Sequence, residues 1–185
     1  MPASAHDIAT ELRRRLPGLP VKKLHKLLYY CQGHHLAVHG EPLFAETLEA
    51  WDMGPVVAEL WRAEKPGPVR GDTSQLGEAE LNTVAYTVYR YGTNTGMDLE
   101  RLSHTEPPWQ EANRNRRPGG AVPLDRKVMV EFFKTNGGVP DETAPNRPAI
   151  HRMLREAAER PIEHGKPLNR REMSAALAEV RVDLG

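Results

Sequence analysis

The chain has 185 residues, and its 25 Lys plus Arg balance 25 Asp plus Glu, so the formal net charge is zero. This balance disfavours a dedicated nucleic-acid binder, which usually shows a basic excess, and the single cysteine, Cys31, excludes an internal disulfide framework. The first residues hold no apolar segment of signal-peptide length, and no apolar run approaches the ~18 residues of a membrane span, so we expect a cytoplasmic protein without membrane contact.

Apolar residues recur with helical spacing in the first part of the chain. The pattern predicts a helix over residues 5–16, ended by Pro17 and Gly18, and a second over residues 21–38, ended by Gly40 and Pro42. The second helix should bury one face. That face comprises Val21, Leu24, Leu27, Leu28, Cys31, His35 and Val38.

The next segment, residues 43–53, has no helical period and predicts extended chain, with at most one small β-hairpin. Gly54 and Pro55 are predicted to open a third helix, because proline suits the first helical position. Val56, Val57, Leu60 and Trp61 would form the buried face of that helix.

The second half of the chain again predicts helices. They span residues 78–91, 97–104 and 125–135, with a short helical turn from Pro107, a basic loop over residues 113–120, and two further helices near residues 150–157 and from Asn169. The fold class is therefore mainly α, a compact bundle of about eight short helices.

The sequence offers few groups for catalysis or metal binding. His35 and His39 are four residues apart, as in some zinc sites, but no glutamate follows the first histidine and no further Cys/His cluster supplies other ligands. A hydrogen-bonded core histidine is the favoured interpretation of His35, and Cys31 is expected to be a buried apolar residue. We therefore expect no catalytic residues, no metal, no cofactor and no enzyme activity.

Three short basic clusters lie at residues 13–15, 114–117 and 170–171. Each has acidic neighbours, so solvated surface is favoured over a patch that contacts phosphate.

The stretch that starts at Trp51 has two open interpretations: Trp51 packs in the core, or it belongs to a protein interface, where Trp, Tyr and Arg are enriched. Met53 is expected to be exposed.

Four ordered blocks of sequence resemble the signature of the Panacea domain family. They are KLHKLLYYCQG at residues 23–33, GEPLF at 40–44, EAWDMGPVV at 49–57 and LSHTEPPW at 102–109. The resemblance implies a Panacea-like domain over residues 5–113. Residues 114–185 are then a helical extension packed on the same core, which could bind a toxin, form a homodimer or complete the fold.

The resemblance also implies a function. Panacea proteins are bacterial or prophage-associated antitoxins of toxin–antitoxin systems, and each neutralises a toxin encoded by a neighbouring gene through direct protein binding. Two alternatives stay open: a DNA-binding autoregulator that uses the arginines of residues 114–117, and a metal-dependent enzyme that uses His35 and His39.

A candidate partner surface follows from the helical geometry. Two residues of the second helix fall about 90° or more from its apolar stripe, where a partly exposed side could meet the turn after Trp51. With that turn, the candidate contact residues are His25, Tyr29, Trp51, Asp52, Met53, Gly54 and Pro55.

Overall fold

The structure is a computed structural model that describes residues 3–135. Within them lie seven α-helices and a small antiparallel sheet, and the mainly α class is confirmed. The helices are α1 (Ala5–Arg15), α2 (Val21–His39), α3 (Ala58–Ala63), α4 (Glu78–Tyr91), α5 (Gly96–His104), α6 (Pro107–Arg114) and α7 (Arg126–Thr135). The strands β1 (Leu48–Trp51), β2 (Gly54–Val57) and β3 (Val122–Pro123) stand in the order β2-β1-β3.

Helix α2 is the central element of the fold. Helices α1, α4, α5 and α7 and strand β2 all pack against it, so every residue from Leu24 to Ala37 is buried. The prediction of a single buried face is therefore wrong, because a helix enclosed on all sides has no solvent face. Val21 and Val38 lie at its two ends and are 54% and 51% exposed, whereas polar residues in its middle are buried.

The β-hairpin extends further along the chain than predicted. Trp51 pairs with Gly54 and Leu48 with Val57, so Asp52 and Met53 form the tip. Gly54 has φ 93°, a conformation that glycine adopts without strain. The prediction that Gly54 and Pro55 open a helix is wrong: pairing with β1 holds them in β2, and α3 begins only at Ala58.

Local capping explains several helix starts. Ser4 and Asp7 form a capping box at α1, and Thr95 and Asp98 form another at α5. Helix α4 has the predicted bounds. The helices predicted near residues 150–157 and from Asn169 lie outside the described residues.

Helix α7 belongs to the predicted extension and packs on both α2 and α6. Its Phe133 ring lies directly over Gly33 of α2, so closely that a Cβ on Gly33 would overlap the ring. The division of the chain at residue 113 stays a prediction, since most of the extension falls beyond Thr135.

Candidate functional site

Two polar side chains of α2 are bonded to the outer edge of β2. The backbone N–H of Val57 donates to Nδ1 of His25 at 3.3 Å, and Nζ of Lys26 donates to the carbonyl oxygen of Pro55 at 3.0 Å. Both side chains are almost fully buried. They occupy the positions in which a further strand would bond to β2, and they fix the hairpin to the central helix.

Burial sets the charge of these two groups. Desolvation lowers the pKa of His25 to about 4, so its imidazole is neutral near pH 7. Desolvation also lowers the pKa of Lys26 to about 8, although nearby Glu100 favours the charged form. Because Nδ1 of His25 accepts a hydrogen bond, its proton belongs on Nε2. That atom is buried and has no hydrogen-bond partner among residues 3–135.

Gly54 makes room for the buried lysine. A Cβ at this position would lie 2.8 Å from Cε of Lys26 and 3.1 Å from Oγ of Ser103 on α5. The positive φ favours glycine here, and a Cβ would also displace the end of the Lys26 side chain. The hairpin tip is thereby held between α2 and α5.

Glu106, the N-cap residue of α6, binds two adjacent tyrosines of α2. Tyr29 donates its hydroxyl to Oε2 at 2.7 Å, and Tyr30 donates to Oε1 at 3.0 Å. Burial raises the pKa of Glu106 to about 7, although the two hydroxyls favour the ionised form. Burial also raises the pKa of both tyrosines, so they remain donors.

Two further side chains complete this internal network. Gln32 accepts from the N–H groups of Leu43 and Phe44 and donates to the carbonyl of Phe44. Trp109 on α6 donates its indole N–H to the carbonyl of Trp51 at 3.1 Å. The segment before β1 and the end of β1 are thus both tied to helices.

The expected exposure of His25 and Tyr29 is wrong. They are 2% and 0% exposed, because β2 covers His25, and Glu106 and the Phe133 ring of α7 cover Tyr29. Gly54 and Pro55 are buried as well. The partner-binding role of the candidate set stays a prediction, and its exposed members are Asp52 and Met53.

The exposed hairpin tip adjoins the basic loop after α6. Oδ1 of Asp52 pairs with Nη1 of Arg116 at 2.5 Å, and Oδ2 accepts from the N–H of Gly119 at 3.2 Å. Met53 is 57% exposed, as predicted, and Arg117 is exposed. These contacts bring together two segments about 64 residues apart in sequence.

Two tryptophans lie beside this tip. Trp51 is half-buried and packs edge-to-face on Trp61, with ring centroids 5.1 Å apart, and its indole N–H donates to Glu49. The prediction that Trp61 is buried is wrong, since it is 37% exposed. We call Trp51, Asp52, Met53, Trp61 and Arg117 the hairpin-tip surface.

The other candidates for chemistry lie in the interior. Nδ1 of His35 is 2.8 Å from Oγ1 of Thr83, which agrees with the core interpretation. Cys31 is fully buried, which raises its pKa to about 12. Among residues 3–135, no group of three or more His, Cys, Asp or Glu is arranged to hold a metal ion, and no helix is long and apolar enough to cross a membrane.

The first basic cluster is neutralised by ion pairs. Arg13 pairs with Glu64, and Arg14 and Arg15 both pair with Glu11, whose side chain is nearly buried. These pairs leave little free positive charge on α1, whereas a patch that contacts phosphate would need unpaired arginines. The cluster at residues 170–171 lies outside the described part of the chain.

Residues 24–110, just under half of the chain, match the family model described as "Antitoxin SocA-like, Panacea domain". This segment therefore resembles the Panacea domain. No curated protein and no solved structure matches the chain. The matched segment spans the four sequence blocks on which the resemblance rests, apart from the first residue of the first block.

The Panacea blocks bond chiefly to one another. The first block supplies His25, Lys26, Tyr29, Tyr30 and Gln32, and these residues bond to the second, third and fourth blocks. These five side chains of the first block therefore hold the interior of the matched segment together.

Proposed function

We propose that this chain is an antitoxin that neutralises a toxin by direct protein–protein binding through the hairpin-tip surface. The observation that carries the proposal is the match of residues 24–110 to an antitoxin-like Panacea domain. The partner would be a toxin encoded by a neighbouring gene in a bacterial or prophage genome, and the complex would form in the cytoplasm.

The arrangement of the domain supports a binding role. Lys26 donates a hydrogen bond to β2, and Trp109 donates one to the end of β1. These bonds restrict the backbone of the hairpin on both sides of its exposed tip. A preorganised surface loses less conformational entropy when it binds. The exposed side chains at this tip include tryptophan, methionine and arginine, residue types that are enriched at protein interfaces.

We also propose that neutralisation involves no chemical step by this chain. The groups best suited to catalysis are engaged in the interior: Glu106 is enclosed by two tyrosines, and Lys26 is bonded to a backbone carbonyl. Burial disfavours the thiolate of Cys31, which is the nucleophilic form. Inhibition should accordingly be stoichiometric.

Co-expression with the adjacent gene tests the proposal. We expect that the adjacent gene alone arrests growth, that this chain restores growth, and that the two purified proteins elute together in size-exclusion chromatography at a fixed ratio. The same elution profile reports whether this chain forms a homodimer. Restored growth without a complex, or restoration at sub-stoichiometric amounts, would contradict neutralisation by binding.

A further inference from the structure

We infer that the hairpin-tip surface binds an acidic protein surface that offers an apolar pocket for Met53. This inference rests on the proposed function and adds to it the chemistry of the partner. It follows from how the exposed apolar and basic groups are placed around the tip.

Pairwise contacts connect the hairpin tip to apolar and basic side chains on neighbouring segments. Asp52 precedes Met53 and pairs with Arg116, which precedes Arg117. On the other side, Trp51 contacts Trp61, and Nζ of Lys65 lies 4.8 Å from the Trp61 ring centroid. The two residues just before Met53 therefore contact a second tryptophan and the arginine loop.

The free charge around Met53 is positive. Arg114 and Arg117 are exposed, and within residues 3–135 neither forms an ion pair with a carboxylate. Of the acidic groups at the tip, Asp52 is paired with Arg116, whereas Glu49 accepts only from the neutral Trp51 indole and keeps its negative charge. Carboxylates on the partner would complement the remaining arginines.

The same chain segments carry three carboxylates without an ion pair, Glu49 on β1, Glu59 on α3 and Glu111 on α6, and these limit the excess charge. Glu59 on α3 and Glu111 on α6 are both exposed. The basic side chains on these segments that lack an ion pair are Arg62, Lys65, Arg114 and Arg117. The local excess is small, which suits a carboxylate-bearing protein better than a long polyphosphate backbone.

A protein also fits the tip better than a nucleic acid does. Met53, the most exposed large apolar side chain on the described residues, offers nothing to phosphate and gains by burial in an apolar pocket. Base stacking on Trp61 would have to displace Lys65 from its ring. The groups at the tip match the apolar centre and charged rim of a protein interface.

The test measures the affinity of the purified full-length chain for the purified product of the adjacent gene, at about 50 and 500 mM NaCl. We expect Met53→Ser to weaken binding at least tenfold at both salt concentrations. Arg117→Glu should weaken binding at least fivefold at low salt and clearly less at high salt, because salt screens charge attraction between exposed groups.

Two matched substitutions serve as controls. Val38→Ser removes an apolar side chain that is 51% exposed, about 20 Å further along α2 than the residues bonded to the hairpin. Arg70→Glu reverses an exposed arginine in the loop after α3. Both controls should bind as the unaltered chain does.

The outcomes separate this inference from the proposed function. If the unaltered chain binds the toxin and Met53→Ser and Arg117→Glu bind equally well, the surface assignment is wrong and the antitoxin role stands. If the unaltered chain neither binds nor rescues, both fail. Binding of a promoter DNA duplex that Arg117→Glu abolishes, with toxin binding unchanged, would also overturn the inference.

Discussion

Replacement of Glu106 by glutamine should change how the stability of the protein depends on pH. Glu106 is buried, and desolvation raises its pKa from 4.5 to about 7. Between these two values the folded chain holds a proton at this site that the unfolded chain has lost. Stability therefore falls as pH rises through this interval. The stabilising contribution is fully present below about pH 4.5 and fully lost above about pH 7.

The size of the effect follows from the displacement of the pKa. Each pKa unit corresponds to about 1.4 kcal/mol, so the whole interval amounts to about 3 kcal/mol. About 2.5 kcal/mol of that amount falls between pH 5 and pH 8. Glutamine keeps an oxygen for one tyrosine hydroxyl and carries no titratable proton, so the variant lacks this dependence.

The assay is urea unfolding of the unaltered chain and Glu106→Gln at several pH values from 5 to 8. We compare the unfolding free energy of the unaltered chain with that of the variant at each pH. The difference reports Glu106 alone, because the buried histidines titrate alike in both proteins. Glu111→Gln, an exposed carboxylate on the same helix, is the matched control. A difference that stays constant within about 0.5 kcal/mol across this range would refute the reasoning.

Three other substitutions test the packing around α2, each by thermal or urea unfolding. Gly33→Ala should lower stability by about 1–3 kcal/mol, because its Cβ would overlap the ring of Phe133 and displace α7; a Phe133→Leu background should reduce that loss. Gln32→Met should cost at least about 2 kcal/mol, because three buried backbone hydrogen bonds lose their side-chain partner. Gly54→Ala should cost more than Gly18→Ala, since both residues have positive φ but only the Cβ at position 54 meets a neighbour; equal losses would contradict the role assigned to the buried lysine.

Helix positions were the most predictable part of the fold. The bounds of α4 follow from its apolar period, and glycines and prolines mark the ends of α1 and α2. The hairpin was harder, because Gly54-Pro55 is locally a helix-start signal. What overrides it is pairing with β1 and bonding to His25 and Lys26. Those contacts are distant in sequence and leave no trace in local periodicity.

The candidate site was predicted only in part. Met53 is exposed as expected, since a turn residue between two paired strands points away from them. The helical period predicted that His25 and Tyr29 lie beside an exposed face, because most helices of this kind have one solvent-exposed side. Neither the enclosure of α2 nor the ion pair between Asp52 and Arg116 has a local sequence signal.

The two side chains that bond to the edge of β2 also bear on how this protein resists self-association. An edge strand with free N–H and C=O groups invites pairing with a second chain, which is a common first step toward domain swapping and fibril growth. Here Lys26 and His25 already occupy that edge, and the opposite edge strand is two residues long and contains Pro123. Extension of the sheet by a foreign strand at β2 would break both side-chain bonds, so the exposed hairpin is protected against pairing with a second chain along this edge.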